Sequence, residues 1–149
     1  MTNFKVFSIP KSFIPEIPNP ENWEKYDDNC NRGDIKLDDS VLDNILSLSK
    51  TRLKRSKKDY TVHHVKYSIN DTPYIIDEHQ DWCKFTLIVY LDKSPAVSDE
   101  FWVDDEKIEE DLWQSNETKY KCLVFWGNSP HHGKVFGKGK RNILCFFSD

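Results

Sequence analysis

No stretch of this 149-residue chain approaches the about 20 consecutive apolar residues that a helix needs to cross a bilayer. The first residues, Met1-Thr2-Asn3-Phe4-Lys5, lead into polar residues and prolines and lack the apolar run of a secretory leader. These two absences predict a soluble, cytoplasmic protein with no membrane partner. An excess of one charge is also missing. Twenty-one basic side chains face 25 acidic ones, a formal net charge of -4, so no global field draws the chain onto nucleic acid. The four cysteines, Cys30, Cys83, Cys122 and Cys145, contain no CxxC pair and are widely scattered, which argues for free thiols rather than a disulfide framework. Internal repeats and low-complexity tracts are absent as well, and the length suits one domain spanning 1–149.

Aromatic side chains are plentiful: nine Phe, six Tyr and five Trp. Large flat groups pack well on pleated surfaces, so a mainly β or α+β fold is expected. Pro10, Pro15, Pro18 and Pro20 fall within residues 1–37. Proline donates no backbone hydrogen bond, so this region reads as an extended arm or short edge strands, strapped over the core by Phe4, Ile9, Ile14 and Trp23 among others. Ser40-Val41-Leu42-Asp43 then reads as a capping box. Val41, Leu42, Ile45, Leu46 and Leu53 recur at helical spacing, and the run Lys50 to Lys58 places basic charge where a helix C-terminus favours it. This predicts a helix over 40–58, packed on the sheet. From Tyr60 the pattern changes. Thr61 to Tyr67, Phe85 to Leu91, Lys121 to Trp126 and Asn142 to Phe147 are β-branched and aromatic, separated by turn signals such as Asn70-Asp71-Thr72-Pro73 and Gly127-Asn128-Ser129-Pro130. Strands of this length and spacing predict a jelly-roll (double-stranded β-helix) core over 60–149. Asp104 to Trp113, acidic with Ile108, Leu112 and Trp113 at helical spacing, reads as a short helix or a wide loop.

Three features carry chemistry. In His79-Gln80-Asp81, residues two apart on an extended strand share a face, so imidazole and carboxylate can meet one metal. About fifty residues later comes His131-His132. Two histidines and one carboxylate on one side of a metal leave positions open opposite, which suits a non-haem Fe(II) that must admit O2 and a chelating cosubstrate. Arg141 follows nine or ten residues on, with a planar fork able to grip the far carboxylate of a keto acid. Strand parity favours His131 over His132 as the ligand, because His131 inward also turns Gly133 and Val135 inward, whereas His132 inward would bury Lys134. His63-His64, being adjacent, point to opposite faces and read as one packed and one exposed imidazole.

Placed in order, these residues resemble the core of the 2-oxoglutarate/Fe(II)-dependent dioxygenases, over about 90 residues from Tyr60 to Phe147. The prolyl-4-hydroxylase-like branch is most similar. Val65-Lys66-Tyr67 resembles its strand ending in Arg-Tyr, and Thr86-Leu87-Ile88-Val89-Tyr90-Leu91-Asp92 its "T-x-I-x-Y-L-N" strand. Asp99-Glu100-Phe101 looks like its "G-G-E-F" turn, and Gly139-Lys140-Arg141-Asn142-Ile143-Leu144 like its closing "G-x-R-Y-x-L". The resemblance implies His79, Asp81 and one of His131 and His132 as Fe(II) ligands. It implies Arg141 and Tyr90 on the distal carboxylate of 2-oxoglutarate, with Tyr67 lining the cosubstrate pocket. The implied activity is that of an oxidoreductase, a dioxygenase hydroxylating a C–H bond of a peptidyl residue or small molecule with release of succinate and CO2, supported by ascorbate. The chain departs from the pattern in three ways: Ser98 and Asp99 replace the paired glycines, the loop from Asp81 to Phe85 is very short, and the proline and glycine that usually precede the late strand are absent around Glu117 to Lys121. Two rivals stand beside this reading: a catalytically silent metal-binding interaction module, and a nucleic-acid dealkylase on the same fold. No second arginine follows Arg141 in the eight remaining residues, which counts against the dealkylase and makes nucleic acid an unexpected partner.

Overall fold

The apolar runs around residues 85–93, 119–126 and 139–148 are continuous rather than alternating, which means both faces of each strand must be covered. The computed structural model, which describes residues 4–49, 60–109 and 115–148, shows how. In chain order the elements are β1 (Phe4–Pro10), β2 (Glu24–Asp27), β3 (Cys30–Asp34), α1 (Asp39–Ser49), β4 (Tyr60–Ile69), β5 (Tyr74–His79), β6 (Phe85–Lys93), β7 (Ser98–Val103), β8 (Glu106–Ile108), β9 (Lys119–Trp126), β10 (His131–Phe136) and β11 (Gly139–Ser148). They form a seven-stranded sheet, β1-β9-β6-β11-β4-β3-β2, and a four-stranded sheet, β5-β10-β7-β8. Every pairing is antiparallel. This is a jelly-roll arrangement of two facing sheets.

Alternate residues of the large sheet feed two separate apolar clusters. Ile88, Tyr90, Leu123, Phe125, Ile143 and Cys145 point inward and meet Phe101, Val103 and Val135 of the small sheet. Leu87, Val89, Cys122, Val124, Leu144 and Phe146 point outward and are covered by Ile9, Ile14, Leu42 and Ile45. The proline-bearing arm therefore supplies strands β1 to β3 and part of a second hydrophobic layer. All four cysteines are free and buried. Burial pushes the Cys30 thiol up to about 11, so it stays neutral and packs as an apolar group.

Three expectations need correction. The helix is not N-terminal: three strands precede it, and it covers Asp39–Ser49, while the rest of the expected 40–58 span, residues 50–58, lies outside the described residues. Its first turn closes with the Leu42 amide donating to the Asp38 carbonyl, which puts Ser40 inside the helix rather than at its cap. The acidic segment after Val103 starts as a hairpin, not a helix. Asp104 and Asp105 both adopt positive φ, 49° and 64°, the geometry of a tight two-residue turn, and pair β7 with β8. Residues 110–114, with Leu112 and Trp113, lie outside the described residues. Finally, both members of His63-His64 are packed. His64 meets Asn142 and the Trp23 ring, and His63 meets Asp34, because β3 and the arm cover the face that parity leaves outward. Among the described residues no helix is long and apolar enough to cross a membrane.

Leu144 is wholly buried in the outer layer. Leu144→Ala is expected to lower the unfolding free energy by about 2–5 kcal/mol in urea denaturation. A loss below about 1 kcal/mol would mean that the arm and helix do not seal that layer.

Candidate metal centre

The small sheet brings the candidate ligands together by register. His79 ends β5, His131 begins β10, and the two sit opposite each other in the ladder. Asp81 lies two residues beyond His79, where the chain crosses back toward the large sheet. Its amide donates to the Gly127 carbonyl at 2.7 Å, and the Gly127 amide donates to the Lys84 carbonyl at 2.8 Å. The short 81–84 loop is thus clamped against the turn that follows β9. Only glycine fits that clamp: a Cβ on Gly127 would fall 2.1 Å from the Cys83 carbonyl oxygen.

One donor atom each from His79, Asp81 and His131 lies within 4.8 Å of the other two. His79 Nε2 stands 3.4 Å from Asp81 Oδ1, and His131 Nε2 3.3 Å from Asp81 Oδ2. Each ring is oriented by its other nitrogen. His79 Nδ1 contacts the Asp77 carbonyl at 2.7 Å and His131 Nδ1 the Ser129 carbonyl at 2.8 Å. A carbonyl only accepts, so both Nδ1 atoms carry hydrogen and a neutral ring turns a bare Nε2 lone pair toward Asp81. Three electron-pair donors then face one volume, an arrangement that a cation or added protons must relieve. Thr86 Oγ1 donates to Asp81 Oδ2 at 2.5 Å and fixes the carboxylate. Burial alone would raise the Asp81 carboxyl. When added protons rather than a cation fill that volume, a hydrogen bond from His131 and one from Thr86, with charge on both imidazoles, outweigh burial and hold the group below its ordinary value.

The three residues open into a cavity of about 120 Å³ between the sheets, also lined by Tyr67, Tyr90, Phe101, Phe125 and Asp99. The two histidines differ in access. The His79 side chain is 45% exposed, and His131 only 4%, packed against the Phe125 ring at 4.7 Å. His132 is turned away. Its ring stacks on Trp102 at 4.8 Å and 6° on the other face of the small sheet, with Nδ1 3.9 Å from Glu78. Arg141 comes from the large sheet and is buried, its Cζ 4.6 Å from the centre of the Tyr90 ring. It already has a carboxylate partner: its Nη2 lies 3.2 Å from Asp99 Oδ2. Thr86, Gly127, Phe125 and Asp99 were not singled out as site residues from the sequence. Parity could have flagged Thr86, which shares a strand face with Tyr90, and Asp99, which shares one with Phe101.

No protein-family model matches this chain, and no curated protein matches it. Solved structures do. KdgF from Halomonas sp. superposes with a TM-score of 0.51 at 13% identity, over 87% of each chain. IDO from Bacillus thuringiensis gives 0.52 at 15% identity, over 73% of this chain and 56% of its own. An oxidoreductase of the 2OG-Fe(II) oxygenase family from Burkholderia pseudomallei gives 0.52 at 11% identity, over 92% and 74%. The likeness is one of fold. It places the chain in a jelly-roll architecture that oxygenases share, and the ligand set stands on its own geometry.

Two measurements test that geometry. His131→Ala should abolish Mn(II) binding in calorimetry, whereas His132→Ala should bind as the native protein does. The converse result would move the ligand to the other face of β10. Gly127→Ala should weaken Mn(II) binding by about tenfold or more with the far-UV circular dichroism unchanged, because it spreads the clamp that aims Asp81.

Proposed function

We propose that this chain is an Fe(II)- and 2-oxoglutarate-dependent oxygenase that hydroxylates a C–H bond of a peptidyl residue or small molecule. The observation that carries the reading is the convergence of two Nε2 atoms and one carboxylate, with Nδ1 of both rings tied to carbonyls, at the mouth of an apolar cavity. The donor set fits the metal: two imidazoles and a carboxylate from one side satisfy Fe(II) while leaving room opposite. His79, Asp81 and His131 would hold it. When bound, the metal supplies the one-electron chemistry by which O2 oxidises the keto acid and the substrate. The overall reaction balances as substrate C–H, O2 and 2-oxoglutarate giving substrate C–OH, succinate and CO2.

The chain's own residues position and enclose. Thr86 holds the Asp81 carboxylate in one orientation, and the loop clamped by Gly127 fixes its backbone. Tyr67 and Tyr90 line the cavity, and burial raises both phenols, so they are neutral hydroxyls able to donate to a carboxylate. Arg141 behind Tyr90 supplies the positive charge for the distal end of the keto acid. Phe101, Phe125, Ile88 and Val135 keep water from the reacting atoms. A cavity of about 120 Å³ between the sheets suits a small cosubstrate. The substrate then presents its C–H bond from outside, across the exposed edge of His79 and beside Trp82, whose indole is 71% exposed.

A second reading, a metal-binding module without turnover, draws on the Asp99 carboxylate already paired with Arg141. Incubation with Fe(II), ascorbate and labelled 2-oxoglutarate separates the two. The enzyme reading expects succinate and CO2 from the native protein and none from Asp81→Ala, with both proteins folded. Metal uptake without any decarboxylation, across a panel of peptide and small-molecule substrates, would favour the silent module.

A further inference from the structure

The pairing of Asp99 with Arg141 has a consequence for what the cavity accepts. Asp99 stands on the inner face of β7, where Asp99, Phe101 and Val103 are buried in alternation and Asp99 faces Val135 of β10. A carboxylate in that layer needs a cation, and the large sheet supplies one. Arg141 Nη2 lies 3.2 Å from Asp99 Oδ2, with side-chain exposures of 3% and 10%. The guanidinium is otherwise poorly satisfied: Nη1 donates to the Asp92 carbonyl at a long 3.3 Å, and the buried Nε has no hydrogen-bond partner. Asp99 and Tyr90 line the cavity that contains the three donor atoms, whereas Arg141 does not. The carboxylate therefore lies between the guanidinium and the space where a keto acid would sit. In the sequence this position falls in the turn that resembles "G-G-E-F", so Asp99 adds an anion where the resembling family has a glycine.

We propose that Asp99 is a specificity-determining residue that occupies the distal-carboxylate seat on Arg141, so that 2-oxoglutarate binds only by displacing it. The proposal rests on the oxygenase reading above. An incoming carboxylate replaces one charge-assisted contact with another at the guanidinium, so little is gained there. The displaced Asp99 is left inside the protein without its cation, which is costly. A keto acid without a distal carboxylate leaves the pair intact and avoids that cost. Asp99 thus weakens 2-oxoglutarate relative to a short keto acid such as pyruvate, which presents the same chelating end.

The experiment is calorimetry of 2-oxoglutarate and of pyruvate binding to Mn(II)-loaded native protein and Asp99→Asn, which keeps the size and an acceptor oxygen but removes the charge. Asp99→Asn is expected to bind 2-oxoglutarate about tenfold more tightly while its affinity for pyruvate stays within about twofold. Unchanged or weaker 2-oxoglutarate binding, or an equal change for both acids, overturns the proposal. Should the variant not fold, a crystal structure of the native protein with Mn(II) and N-oxalylglycine decides. The inhibitor's distal carboxylate on Arg141, with Asp99 moved off, bears it out, and a bound inhibitor beside an intact Asp99–Arg141 pair sinks it. Failure of the native protein to take up Mn(II) at all would overturn the oxygenase reading, and this one with it. Metal uptake with an unmoved 2-oxoglutarate affinity overturns this one alone.

Discussion

Electron pairs on three side chains cannot be aimed at one another across little more than 3 Å without something positive between them. That repulsion organises this protein. Rotating either imidazole would relieve it, but each ring is pinned by an Nδ1 contact to a carbonyl two residues earlier. Moving the carboxylate would also relieve it, but Thr86 and the backbone clamp at Gly127 hold Asp81 in place. The fold thus commits hydrogen bonds from three strands and two turns to keeping donors close. Such an arrangement is hard to explain as packing alone, and it gives the metal reading its weight.

The architecture that tolerates this strain is a large sheet buried on both faces. The inner layer brings aromatic rings to the cavity. The outer layer, closed by the arm and α1, removes the freedom the large sheet would have if one face met water. Thr86 and Arg141, which come from that sheet, are as fixed as the core around them. The small sheet, by contrast, is only four strands wide and carries both histidines near one end of the β5–β10 pair.

Much of this was readable in the residues, for definite reasons. The strands of the core announced themselves because β-branched and aromatic residues are concentrated between turn signals. His79, Asp81 and His131 could be picked out as a candidate ligand set, although Asp81 reaches the histidines from the loop after β5 and not by strand parity. The helix was legible from its apolar period over Asp39–Ser49, but its place after three strands was not, because the proline-bearing arm hides their pairing. The hairpin at Asp104-Asp105 was missed because non-glycine residues at positive φ leave no clear mark in composition. Asp99 was noticed only as a lost glycine. Its pairing with Arg141 joins residues 42 positions apart on opposite sheets, a contact that local pattern does not encode. The carbonyls of Asp77 and Ser129 were invisible for a simpler reason: every residue has one.

The unequal access of the two imidazoles bears on how the proposed site would be filled. Phe101 and Phe125 pack around His131 on one wall of the cavity, whereas the His79 side chain is 45% exposed and marks an opening among the described residues. On the oxygenase reading proposed above, a large reactant resting over that opening would shut in whatever already lies beneath it, so the small chelating acid would have to be seated before the bulky partner arrives.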